Sequence, residues 1–575
     1  MRRDRKSREV GRAVLAAWIA TAVLMAGPAA RADPSDPDWV LSTMTRELKR
    51  NQERLRLPGY EAPYFIAYTV HDLDRVYLAG RSGAVFQNQR IQNRTVNVDV
   101  RVGDYAMDSS EDQEDLFNPD QKYVPTQQGP IERSEVALSR VLWLQSDFKY
   151  KSALMSYLKV RAKQVNQPKS RTTGSMTREE PVHLIESAPA FRFDSKTWEK
   201  AVRRLSGAFL DYPQVFDSSV EVAATRHTRY IVTTEGTLVK TVDDYLMVLA
   251  SAVVRAEDGQ LLEDSVYHYA RSADGLPPPE RIEAEIRAMA ERLCRLREAP
   301  VLDPATVPVL MSPEATGVFF HETIGHRLEG QRQEDQEEGR TFKGHLGRRI
   351  LPEFVDVADD PTLTAWDGIP LNGHYRVDDE GVRASRASLV ESGVLRGFLL
   401  SRRPVEGFEH SNGHGRSDGF QRPVGRMATL VVQGRTPVSP ERLREMLIEE
   451  VRRQHKPYGL IIETIAGGST NTSSYGYQAF KGVPRVAYRV DAETGAMELV
   501  RGVEIVGTPL SSINKIVATS DRYGVFNGYC GAESGPVPVS TVAPEMLFAE
   551  IELQRSQDTR ERAPVLPAPD EGSAH

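Results

Sequence analysis

Between Val309 and Gly330 two histidines, His321 and His326, stand five residues apart in a stretch otherwise written as a helix. Ser312 is a good N-cap, Pro313 suits the first helical turn, and Glu314 suits the positive end of a helix. Ala315, Val318, Phe319 and Leu328 supply an apolar face, and Gly330 can end the element. On an ideal helix five residues turn through about 500°, leaving the two imidazoles about 140° apart. The four-residue spacing H-E-x-x-H keeps both histidines on one face, with the glutamate between them as base. The five-residue spacing therefore requires a distortion if the two rings are to meet, either a π-type bulge or a break at Gly325. A metal site could demand that distortion. Composition alone yields such a pair, with a carboxylate directly after the first histidine, about 0.03 times per chain of this kind. Spacing alone leaves an ordinary pair of surface or core histidines as the competing reading.

The chain has 575 residues, 40 % hydrophobic and 27 % charged, which is enough for two large domains. Asp36 to about Leu55 reads as a helix stopped by Pro58-Gly59, and Pro63 to Val102 as strands in a meander. Residues 107–130 read as a solvated loop. Ser134 to Gln164 is helical with several apolar faces, giving paired helices beside a sheet, and further strands are expected around Ser219 to Leu249. After Pro277-Pro278-Pro279, Ile282, Ile286, Met289, Leu293 and Leu296 form an apolar seam at helical spacing, with Cys294 expected as a buried core thiol beside it. Asp303-Pro304 and Pro308 mark a boundary near residue 300. Beyond it the chain is Gly-rich and strand-rich, with hairpin signals at Asp378-Asp379-Glu380-Gly381 and Glu391-Ser392-Gly393. The fold class is α+β, divided into an N-terminal domain over 33–300, a C-terminal domain over 301–557 and a disordered tail over 558–575.

At the N-terminus a basic stretch precedes the apolar run Ala13 to Pro28 and the small-residue pattern Ala30-Arg31-Ala32. That run is short for a membrane span and suits a secretory leader over residues 1–32, so an exported, periplasmic or secreted protein without stable membrane insertion is expected. An uncleaved anchor is the alternative. Residues 1–32 carry seven cations and two anions, so their removal takes the net charge from −7 to about −12. That balance argues against a general nucleic-acid binder. Cys294 and Cys530 are the two cysteines, too few for a disulfide framework.

Phe320-His321-Glu322-Thr323-Ile324-Gly325-His326-Arg327-Leu328-Glu329-Gly330 resembles the H-E-x-x-x-H signature of the TldD/PmbA metallopeptidases. Val377 to Gly381, Leu389 to Gly397, Asn412 to Arg416, Arg422 to Met427 and Cys530-Gly531 agree in the family's order, across about residues 301–548. The resemblance implies the family's two-domain architecture: N-terminal helices with a mainly antiparallel sheet, then a strand-rich domain with one motif-bearing helix. It also implies one zinc ion per chain, held by His321, His326 and Cys530. Zinc accepts mixed nitrogen and sulfur ligands, and three protein ligands leave a position for water.

Glu322 is then the catalytic residue, taking a proton from zinc-bound water as it attacks a peptide carbonyl and passing it to the leaving amine. The implied activity is hydrolysis of extended or unfolded peptides, which could add to a sheet edge as a strand. Better-known members are cytoplasmic and can work with a related partner lacking the metal motif; here a homodimer is the default and a related partner the alternative. A non-catalytic binding or assembly protein is the competing function. Its zinc would be closed by a fourth protein ligand, for which Glu329 and His414 are candidates. His410 and His414 could otherwise reach substrate or the outer shell of the site. His345 and His374 read as structural, and the acidic run Glu334 to Glu338 as a solvated face or lid.

Overall fold

The computed structural model describes residues 38–111, 124–166, 173–334, 340–470, 480–507, 509–556, 560, 563 and 564. The leader over 1–32, most of the acidic run at Glu334 to Glu338, much of the 107–130 loop and nearly all of the tail lie outside the described residues.

The first layer is a six-stranded sheet of unusually long strands. Helix α1 (Trp39–Arg54) precedes strands β1 (Pro63–Arg81) and β2 (Ala84–Val102). Helix α2 (Glu135–Asn166), short β3 (His183–Ile185) and helix α3 (Ser195–Gly207) follow, then β4 (Val215–Thr233), β5 (Leu238–Arg255), β6 (Leu261–Ala270) and helix α4 (Pro279–Glu298). The order is β2-β1-β4-β5, with β3 and β6 both pairing along β5; every pairing is antiparallel except β3–β5.

Strand side chains alternate with period two, and the even-numbered face carries the apolar set. Ile66, Tyr68, Val70, Val96 and Val98 pack under Met44 of α1 and Leu138 and Leu142 of α2. Farther along the same face, Val220, Val222, Leu246 and Val248 pack under Val202 of α3 and Ile286 and Met289 of α4. The odd-numbered face carries His71, Asp99, Arg101, His227, Arg229 and Tyr267 and meets the other half of the chain. Ile231 and Val239 pack on Val377 there, Arg229 pairs with Asp379, and Arg422 Nη2 lies 3.2 Å from Asp99 Oδ1.

Four details depart from the sequence reading. The 134–164 region is one unbroken helix, whose pairing partner is α1. Strand β6 was not foreseen. Cys294 is half-exposed instead of buried, with Sγ 3.5 Å from Gln214 Oε1; one residue past Leu293, it lies about 100° off the apolar seam, at its rim. Gly330 does not end the motif helix, which stops earlier.

The second layer contains eleven strands. They include β7 (Ala305–Met311), β8 (Val355–Asp359), β9 (Ala387–Glu391), β10 (Val394–Leu395), β11 (Thr429–Gly434), β12 (Tyr458–Thr470) and β13 (Phe480–Asp491). β14 (Met497–Val500), β15 (Val503–Gly507), β16 (Ile516–Ala532) and β17 (Gly535–Arg555) complete it. The order is β10-β9-β8-β11-β17-β15-β13-β12-β7, and β17 pairs again with β7, so β7, β12, β13, β15 and β17 close a ring. Closure removes free edges along those strands. The β9–β10 hairpin turns through Ser392 and Gly393, both at positive φ, where the sequence signalled a turn. The chain is thus α+β: helices on a mainly antiparallel sheet, followed by a strand-rich half with the motif helix against its ring.

Candidate metal centre

Helix α5 (Pro313–Thr323) leaves the end of β7 and packs on β12, β16 and β17. Ser312 caps it, accepting from Ala315 N at 3.1 Å and donating to the Glu463 carbonyl at 2.6 Å. Every residue from Ala315 to Thr323 is buried. The helix is therefore an internal element, not the amphipathic one its apolar face suggested. Phe319 anchors it edge-on to Phe480 and Phe548.

The five-residue histidine spacing is resolved by a break. Ile324, at φ −112° and ψ −52°, ends the α-helix, and Gly325 to Leu328 continue as a 3₁₀ turn. Arg327 turns back on the broken end, its Nη1 donating to the carbonyls of Glu322 at 2.7 Å and Thr323 at 3.4 Å. These are carbonyls left without amide partners where a helix stops. Glycine is required at 325, since a Cβ there would lie 1.9 Å from Met427 Sδ.

The break turns His326 toward His321. Their rings meet edge-to-face at 5.0 Å, and Cys530, near the tip of the β16–β17 hairpin, completes the group. Cys530 Sγ lies 3.1 Å from His321 Nε2 and 3.3 Å from His326 Nε2. All three residues are buried, and one ligand atom from each falls within 4.8 Å of the others. Among the described residues no further His, Cys, Asp or Glu joins that group.

The surrounding charges favour a cation. Burial alone would raise the Cys530 thiol, but His326, His321 and Arg426 outweigh it and hold it well below the ordinary thiol range. Burial would lower His326, yet Cys530 and Glu329 raise it well above the usual imidazole value. Two imidazole nitrogens and a sulfur with thiolate character are a borderline-soft donor set, which suits a divalent transition metal.

The sequence reading missed the supporting shell. Glu329 is fully buried and is not placed as a fourth ligand: it accepts from the far nitrogen of His326, Nδ1, at 3.1 Å, and from Arg332 Nε at 2.7 Å. Burial would raise its carboxyl, but His326, Arg332 and Arg426 bring it down to about 2. Arg426, also fully buried, lies 3.4 Å from Glu329 and grips the hairpin, donating to the Cys530 carbonyl at 2.7 Å and to Ser534 Oγ at 2.8 Å. One carboxylate and one guanidinium thus join the segments carrying His326 and Cys530. A buried arginine in Arg422 to Met427 had no signal in spacing or periodicity; its position within a quoted family segment was the sole pointer.

Glu322 is buried in the last turn of α5, its side chain against β12, where a Cβ on Gly468 would come 2.2 Å from Glu322 Cγ. His414 is remote in bonding from the cluster, held by Asp359 Oδ1 at 3.2 Å and Asn412. His410 is exposed beside Glu179, and His374 bonds the Pro361 carbonyl.

The protein thus has two α+β halves, the second of which buries a His-His-Cys group that could hold a metal ion. Residues 304–555, a little under half of the chain, match the PmbA/TldA metallopeptidase C-terminal domain. The chain is similar to a metalloprotease of Methanothermobacter thermautotrophicus, 32 % identical over 273 residues, covering 46 % of this chain and 54 % of that one. A metalloprotease of Archaeoglobus fulgidus is 31 % identical over 261 residues, covering 45 % and 56 %. A zinc metalloprotease TldD homolog of Saccharolobus solfataricus is 24 % identical over 251 residues, covering 43 % and 51 %. The alignments span about half the length of these relatives. Among solved structures, TldE from Thermococcus kodakarensis superposes with a TM-score of 0.60 at 12 % identity, over 89 % of this chain and 100 % of that one. A Thermotoga maritima protein proposed to be a modulator of a DNA gyrase gives 0.60 at 17 %, over 89 % and 99 %. These two likenesses concern the fold alone.

Proposed function

We propose that the protein is a zinc metallopeptidase that hydrolyses extended or unfolded peptides, with zinc held by His321, His326 and Cys530. The observation that carries the proposal is the buried convergence of those three side chains with Glu322 directly beside His321 on the helix. Zinc with three protein donors supplies Lewis-acid activation of water and of a carbonyl. Glu329 fixes the His326 ring by accepting from Nδ1, leaving Nε2 as the donor atom. Glu322 receives the proton of the attacking water on its carboxylate and delivers it to the nitrogen of the departing amine. Its stem lies beside Gly468, where the β12–β13 register slips between Ile465 and Gly468. That irregular strand offers a place for an extended substrate to lie near the base.

The alternative, an assembly protein with a closed zinc, needs a fourth donor within about 2.2 Å of the ion. Its candidates, Glu329 and His414, are engaged by His326 and Asp359. The leader-like residues 1–32 put the activity outside the cytoplasm in the same proposal, with a mature N-terminus at Asp33 as its check. The experiment is metal analysis and peptide cleavage with the purified protein and Glu322→Gln. Zinc should stay near one per chain in both, while cleavage falls roughly 10²- to 10⁴-fold in the variant and stops with chelator. Cleavage that survives the substitution, or ignores chelators, overturns the mechanism.

A further inference from the structure

The polar face of the first sheet carries a row of side chains that the contacts between the halves leave partly open. Across β1, β4 and β5, Arg75 stands opposite Thr225 and Thr225 opposite Tyr245. Arg271, one step past the end of β6, continues the row beside Tyr245, because Ala270 faces Leu246. All four have odd numbers and so share the face turned toward the second half. Arg75 Nε donates to Thr225 Oγ1 at 3.0 Å. The Arg271 guanidinium lies over the Tyr245 ring at 4.3 Å, donates to the His374 carbonyl at 2.9 Å and stands 3.4 Å from Asp243 Oδ1. The row thus holds two oriented guanidinium groups and no carboxylate of its own. Tyr529, on the β16–β17 hairpin, faces it. That residue is 52 % exposed, yet burial raises its hydroxyl pKa while Arg75 and Arg271 pull it down. A side chain wet at its surface but enclosed at longer range stands in a water-filled chamber, not on the outside of the molecule.

We propose that this chamber is a subsite for a carboxylate of the bound peptide, an acidic side chain or the C-terminus, gripped between Arg75 and Arg271 with the Tyr529 hydroxyl as a further donor; the inference rests on the peptidase reading above. Arg75 leans in over Thr225 and Arg271 over Tyr245. Those two are direct cross-strand neighbours, with Cβ atoms about 5 Å apart, so both guanidinium groups converge on the middle of the row. Guanidinium groups match a carboxylate in shape and form the stronger, charge-assisted hydrogen bonds with it. Tyr529 also ties the chamber to the metal centre. It precedes Cys530 on β16, so the two side chains leave on opposite faces, Cys530 toward α5 and Tyr529 toward the first sheet. Their heads are roughly 10 Å apart, which an extended chain rising about 3.3 Å per residue spans in three or four residues. A peptide passing the tip of the hairpin with its scissile bond at the metal centre therefore brings a residue at least that far along into the chamber.

The test is calorimetric binding to the full chain carrying Glu322→Gln, so that bound peptide is not consumed. The probes are four otherwise identical eight-residue peptides: neutral and amidated, neutral with a free C-terminus, amidated with one internal glutamate, and amidated with one internal lysine. At least one carboxylate peptide should bind about tenfold tighter than the neutral amidated one, as charge-assisted bonds allow. Which of the two does so separates the C-terminus from an acidic side chain. Arg75→Met and Arg271→Met should each erase most of that advantage with zinc content and far-ultraviolet spectrum unchanged. Arg75→Glu should shift the preference to the lysine peptide, which loss of a merely structural arginine would not do. Tyr529→Phe, a smaller change, should weaken the carboxylate peptide about threefold through the loss of one donor. Equal binding of all four peptides, binding of none, or an advantage that survives both arginine substitutions overturns the subsite. Zinc-dependent cleavage by the wild type with no carboxylate preference overturns the subsite alone, whereas a carboxylate preference in binding without such cleavage overturns the peptidase reading alone.

Discussion

At the scale of single residues, the two cysteines separate a metal centre from a chance histidine pair. Cys530 is buried between two imidazoles and kept toward the thiolate, whereas Cys294 sits half-exposed at a helix rim. Cys530→Ser should remove most bound zinc and the cleavage that depends on it while leaving the far-ultraviolet spectrum intact, because serine is a poor ligand of nearly the same volume. Cys294→Ser should leave both unchanged. Zinc stoichiometry by mass spectrometry decides, and equal, undiminished zinc in the two variants would remove Cys530 from the site. Glu329 shows why candidate ligands need coordinates: its place three residues after His326 fits a ligand as well as a supporting carboxylate, and the contact with Nδ1 instead of Nε2 marks the second role.

At the scale of elements, the centre depends on a helix that stops in the right place. α5 stops at Thr323, where Arg327 satisfies an abandoned carbonyl, and Met427 fills the space that a side chain at residue 325 would need in the turn that follows. Gly325→Ala should therefore cost about 1–3 kcal/mol in denaturant unfolding and lower metal occupancy, since a methyl has no room against a buried thioether. Gly325→Ala with Met427→Ala should recover part of both losses, the coupling expected of two side chains in direct conflict. Additive losses would show that the glycine serves the backbone and not the space beside Met427.

At the scale of the molecule, the two halves meet across the polar face of the first sheet. There His71 Nδ1 lies 2.8 Å from His227 Nε2 with the rings stacked, and Gly419 closes over His71 so tightly that a Cβ would lie 2.8 Å from the ring. Burial, then the neighbouring His227 and Arg229 against Asp379, lower His71 to about 3. Its unfolded value is about 6.5. Between those values the unfolded chain takes up a proton that the folded one refuses, so stability is full above about pH 6.5 and falls as pH drops toward 3. The slope is up to about 1.4 kcal/mol per pH unit from this group. His71→Gln should flatten the fall in urea-unfolding free energy between pH 7 and pH 5; a variant slope as steep as the wild type would place the acid sensitivity elsewhere.

Local chemistry accounts for much of this protein. Alternation and β-branched residues gave the strand character of residues 63–102 though not the length of its two strands, turn residues gave the Ser392-Gly393 hairpin, Ser312 and Pro313 gave the start of α5, and the family segments gave the pairing of His321 and His326 with a cysteine more than two hundred residues away. Each is a matter of backbone preference or residue type within a few positions, or of an order of motifs along the chain. The end of α5, the bonding of Glu329 and Arg426, the rim position of Cys294 and the meeting of His71 with His227 were decided by packing. They depend on which distant atoms share a buried space, and no spacing along the chain encodes that Met427 stands where a Cβ of residue 325 would be.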